Sequence, residues 1–176
     1  MSTPPADRRL PGPARQPSDD TPAQAYWLFE TGTGPCVIRA DAVRHCIEHA
    51  TVMGLPTAGP RFDAAIVHES NQMMPAIDLR ARRGGPDSHT DALVLQHRTP
   101  IGLVVDRVLG TLELTARQIH ALNAAQREQL ADYVSAVTFL DARPVAVLDP
   151  QRLFAEADLP EKAEISRRLD RRKLPR

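Results

Sequence analysis

FDAAIVHESNQMMPAIDL (residues 62–79) and YVSAVTFLDARPVAVLDP (residues 133–150) are the two stretches that decide how this chain folds. Laid over each other without a gap, they bring Phe62 onto Tyr133, Ala65 onto Ala136, Ile66 onto Val137, Ile77 onto Leu148 and Asp78 onto Asp149. Each reads as an apolar strand, a polar turn and a second apolar strand closed by Asp, which is hairpin patterning. A second overlay lies upstream of each. PCVIRADAVRHCIE (residues 35–48) sits on PIGLVVDRVLGTLE (residues 100–113), matching Asp41 with Asp106, Val43 with Val108 and Glu48 with Glu113. The two overlays occur in the same order in both halves, so the chain reads as a duplicated β unit.

Outward from these segments the texture stays the same. Short apolar runs broken by Gly, Pro, Asp and Asn predict strands at 26–31, 36–39, 46–53, 64–69, 73–78, 92–97, 101–105, 108–114, 134–140 and 145–148. Short helical pieces fit at 40–45, 124–131 and 150–157, the last with Asp149 as cap and Pro150 in its first turn. The expected architecture is all-β: two similar barrels of about five strands each, because short strands hide their edges only when a sheet curls closed. Two such barrels would share an apolar seam and leave a groove along it, a shape suited to docking.

All seven aromatic residues lie between Tyr26 and Phe154, which places the folded body at 25–158. Residues 1–24 hold six of the 16 prolines and few apolar side chains, so a disordered leader is expected there. That leader has no continuous apolar run, so no signal peptide is expected, and no segment has the apolar length of a membrane span. Residues 159–176 form a basic charged tail, compatible with a frayed helix. The formal charge of zero hides a split: residues 25–160 carry 12 Arg against 16 Asp and Glu, whereas residues 161–176 carry seven basic and three acidic residues. A body with surplus acid is a poor nucleic-acid binder. Two cysteines, Cys36 and Cys46, fit reduced thiols in a cytoplasmic protein better than a disulfide framework.

Four segments in order resemble the CheW-like coupling proteins of bacterial chemotaxis: AYWLFETGTGPCVIRADAVRHCIE (25–48), MMPAIDLRAR (73–82), PIGLVVDRVLGTLEL (100–114) and YVSAVTFLDARPVAVLDPQRLF (133–154). That resemblance implies a CheW-like pair of intertwined five-stranded, SH3-like β-barrels with a few short helices. It also implies a non-enzymatic, cytoplasmic adaptor without cofactors that bridges a CheA-type histidine kinase to the cytoplasmic tip of a methyl-accepting chemoreceptor. Carried onto this sequence, the kinase-binding surface takes in Ala40, Val43 and His45, and the receptor-binding surface Ser70, Val108 and Thr111. One departure bears on the receptor. The family's Asn-Leu-Arg-Gly hairpin reads His68-Glu69-Ser70-Asn71 here. Asn71 tolerates the turn that Gly would make, but Ser70 removes a fixed cation and its fork of donors. The implied protein is therefore a divergent or auxiliary coupler, as in a pilus- or surface-linked system, with direct membrane insertion not expected.

A different class of protein, a small β-barrel that binds a metal or small ligand, would rest on His45 and His49 with Cys46 between them. No third nearby ligand or Cys-x-x-Cys supports a metal centre there. Asp78, Asp106 and Asp149 each follow an apolar run and are expected to cap turns rather than to form a catalytic pair.

Overall fold

The computed structural model describes residues 22–54, 64–67, 73–80 and 90–153. Residues 1–21 of the expected leader, the hairpin loop containing Ser70 and the basic tail lie outside these residues, and Gln24, the last residue expected in the leader, instead opens the first strand. Among the described residues twelve strands form two six-stranded sheets. Sheet 1 runs β10 (His120–Ala121), β11 (Val134–Leu140), β12 (Arg143–Leu148), β2 (Gly34–Arg39), β1 (Gln24–Thr31), β9 (Arg107–Leu114). Sheet 2 runs β3 (Val43–Ile47), β7 (Asp91–Leu95), β8 (Ile101–Val105), β6 (Met73–Asp78), β5 (Ala64–Val67), β4 (Thr51–Gly54). Short helical turns cover Ala40–Ala42, Ala116–Gln118, α1 (Ala124–Gln129) and α2 (Pro150–Leu153).

The sheets repeat one topology and are threaded through each other. In each, a central strand pairs parallel with the second strand of a hairpin: Ala76 and Ile77 face Gly102 and Leu103, as Val147 and Leu148 face Val37 and Ile38. These are the pairs that the two sequence overlays, taken together, require. Strand β3 leaves the β1–β2 hairpin for sheet 2, and β9 leaves β7–β8 for sheet 1. Even an irregularity is duplicated. Val43 faces Leu95 and His45 faces Val94, so Arg44 bulges; Val108 faces Phe29 and Gly110 faces Leu28, so Leu109 bulges.

Chain connectivity forces sheet 2 to roll. Strands β3 and β4 are its two edges, yet only Glu48, His49 and Ala50 separate them. Flat edges five spacings apart would lie about 24 Å from each other, whereas four Cα steps reach about 15 Å at most. His49 makes the reversal at φ 53°, and this cuts the strand expected at 46–53 into two. The sixth strand of sheet 1 is the two-residue β10, too short to leave a pattern in sequence.

Three apolar cores follow from side-chain alternation along strands buried on both faces. Inside sheet 2 lie Ile66, Met74, Ala76, Val94 and Val104; inside sheet 1 lie Tyr26, Val37, Leu114, Val145 and Val147. Between the sheets lies the largest, a seam that includes Phe29, Ile38, Leu93, Leu95, Leu103 and Leu148. The β11–β12 hairpin turns through Asp141 and Ala142, at φ 48° and 62°, as a two-residue loop between twisted strands requires.

Candidate docking surfaces

The duplicated edge strands β3 and β9 carry most of the residues expected to bind partners. Ala40 sits half-buried in the turn before β3; Val43 opens β3, half-buried against the seam; His45 is exposed on the same strand. Val108 and Thr111 occupy β9, the first half-buried against the seam and the second exposed. Since Val43 overlays Val108 and both follow the same bulge pattern, the two surfaces are equivalent positions of one repeated unit. Ser70 lies outside the described residues, so its relation to β9 is not part of this geometry.

The sockets differ in chemistry. The bulged residue is Arg44 on β3, whose guanidinium donates to Gln96 Oε1 at 3.2 Å. On β9 it is Leu109, left 46% exposed. Bulges and charges on edge strands prevent indiscriminate pairing, and an outward Leu at one of them offers an apolar contact instead. Sequence reading missed Leu109. The overlay that matched Val43 with Val108 also matches Arg44 with Leu109, and that mismatch in polarity was the available signal.

A groove of about 580 Å³ opens beside the seam, lined among others by Thr31, Cys36, Arg80, Leu130, Tyr133 and Val137. None of the residues expected to bind kinase or receptor lines it. At its floor Arg80 makes a two-pronged pair with Asp78, Nε to Oδ1 at 2.9 Å and Nη2 to Oδ2 at 2.7 Å, and also donates to Thr90 Oγ1 at 3.0 Å. Asp78 Oδ1 also accepts from Arg80 N at 3.1 Å, and Asp149, at the overlaid position, likewise accepts from Gln151 N at 2.9 Å where α2 starts, with Arg152 Nε at 3.3 Å from its Oδ2. Asp78 and Asp149 thus cap turns as expected, and each also pairs with an arginine, the Asp78 pair buried and the Asp149 pair open to solvent.

Burial pushes the Cys36 thiol above its ordinary range, with Thr31 opposing. Burial, then the charges of Asp91 and Glu48, push Cys46 up to about 11. Thiols held protonated at neutral pH are weak nucleophiles and weak ligands. Among the described residues no three His, Cys, Asp or Glu side chains are grouped so as to hold a metal. Among them, too, no helix is long and apolar enough to cross a membrane.

Two interlaced sheets, the second rolled by its own connectivity, present matched edge strands and a groove beside the seam. The chain belongs to the CheW-like domain family, whose model matches residues 25–158. Its fold is similar to that of the scaffolding protein TtCheW from Thermoanaerobacter tengcongensis: TM-score 0.57 at 13% identity, over 72% of this chain and 89% of that one. No curated protein matches the sequence. Family and fold together make this a chemotaxis-type scaffold.

Proposed function

We propose that this protein is a non-enzymatic cytoplasmic adaptor that couples a CheA-type histidine kinase to chemoreceptors. The observation that carries this reading is the pair of equivalent edge strands with different faces, one polar at Arg44 and His45, the other apolar at Leu109. The kinase docks through Ala40, Val43 and His45. The receptor tip docks through Val108, Thr111 and the loop at Ser70, with Leu109 adding apolar area that offsets the missing hairpin Arg. Signal passes as a difference in contact free energy between array states, with no bond made or broken.

Calorimetric titration of the full chain with the regulatory domain of a cognate kinase tests the reading. Val43→Asp should weaken binding by about 2–5 kcal/mol, the effect of a charge buried at an interface. Because Val43 also leans on the seam, the exposed His45→Asp serves as a second variant with little effect on the melting point. Absence of binding by the parent chain, or unchanged affinity in both variants, would end the assignment.

A further inference from the structure

Asp91 is 3% exposed, an acid inside an otherwise apolar strand, β7. Its two carboxylate oxygens accept from two backbone amides far apart in sequence. Oδ1 receives the His49 N–H at 3.2 Å, and Oδ2 receives the Val108 N–H at 2.8 Å. His49 is the turn residue just past β3; Val108 is near the start of β9. One carboxylate therefore ties together the two strands that bear the proposed sockets, at the point where the chain passes from sheet 2 to sheet 1. The neighbouring residue strengthens this anchor: the Thr90 carbonyl accepts from Ala50 N at 2.7 Å, and its hydroxyl oxygen accepts from Arg80 Nη1 at 3.0 Å.

The duplication sharpens the point. Leu95 corresponds to Phe29 and Leu93 to Trp27 by their facing partners, which places Ala25, an exposed residue facing Glu113, at the position of Asp91. A buried acid at this site is not needed to build the repeated unit, since sheet 1 builds it with Ala. A desolvated carboxylate is costly unless its acceptors are filled, so its presence in one sheet alone marks a use particular to that sheet.

We infer that Asp91 is the positioning residue through which the β3 and β9 surfaces are coupled, so that occupation of one changes affinity at the other. Displacing β3 by docking shifts the turn at His49, and the shared acceptor carries that shift to Val108. The inference rests on the adaptor reading above and goes further by naming the residue that links the two sites.

The test compares affinity for a cognate chemoreceptor's cytoplasmic hairpin tip in the free chain and in the chain saturated with kinase regulatory domain. The parent should show a ratio of about fivefold or more, the lower range of site-to-site coupling. In Asp91→Asn each separate affinity should stay within about threefold while the ratio falls to about one. A purely structural Asp91 would give the opposite: a lower melting point, both affinities reduced, and the ratio kept. Amide exchange on the parent chain provides a measurement independent of folding in the variant. Protection at Val108 should change when the kinase domain binds, and unchanged protection overturns the inference. A parent ratio of one with both partners binding sinks the coupling while leaving the adaptor reading intact. Failure of both partners to bind sinks both.

Discussion

Sheet 1 and sheet 2 share strand order, parallel centre and bulge, yet they fill their interiors by opposite choices. Sheet 2 places Gly102 at its centre and lets the large Ile66 occupy the space; a Cβ on Gly102 would meet Ile66 Cδ1 at 2.1 Å. Sheet 1 has Val37 at the matching position and Thr138 opposite it where sheet 2 has Ile66. The lesson is that the duplicated unit is conserved as volume and hydrogen-bond register, while individual side chains have traded size across the strands. The freedom left over appears at the edges, where Arg44 and Leu109 diverge.

Three experiments break or sharpen this comparison. The largest effect should come from the overlaid acids. Arg80→Ala removes the two-pronged partner of the Asp78 carboxylate, in a pair whose side chains are 9% and 4% exposed. Urea denaturation should register a loss of about 3–5 kcal/mol. The matching Arg152→Ala acts on a pair 58% and 30% exposed and should cost under about 1 kcal/mol. Equal losses would show that the two acids are not differentiated.

The trade of volume comes next. Gly102→Ala should destabilise by about 1–3 kcal/mol through overpacking. Adding Ile66→Val, which deletes the atom struck, should recover part of that loss in a double-mutant cycle; additive losses would refute the pairing of these two positions. The smallest effect concerns Thr138, fully buried with a hydroxyl that has no hydrogen-bond partner among the described residues. Thr138→Val keeps the shape and removes a desolvated polar group, so the melting point should rise, by about 1 kcal/mol in stability. A fall would mean that the hydroxyl is satisfied by bound water.

Much of this comparison was legible before the fold was known. The segments at 73–78, 101–105 and 134–140 form strands with those bounds, the first two as apolar runs buried on both faces and the third as an alternating strand buried on one. The overlay of 35–48 on 100–113 holds through the bulge. The overlay of 62–79 on 133–150 holds for β6 on β12 but slips by one residue on β11. There Ser135 is skipped in the pairing, so Ala136 faces Val147 as Ala64 faces Ala76. The corrected counterpart of Ile66 is therefore Thr138, not Val137. A bulge adds a residue without altering local composition, so a gapless comparison cannot detect it. The helix expected at 40–45 shrinks to Ala40–Ala42, since Val43 onward gains more from ladder bonds to β7. Asp91 stayed hidden for a related reason: its role arises from amides 42 and 17 residues away, a separation that no local pattern records.

The interlacing has a consequence for how the protein is made. Every strand of sheet 2 falls between Val43 and Val105, an uninterrupted interval, whereas sheet 1 needs β1 and β2 from the start of the body and β9 to β12 from its end. During synthesis the inner sheet can close as soon as β8 emerges, while the first hairpin waits, its Tyr26 and Val37 face uncovered, until the last strands leave the ribosome. Cutting the gene between the sequence repeats would therefore yield no half able to fold by itself.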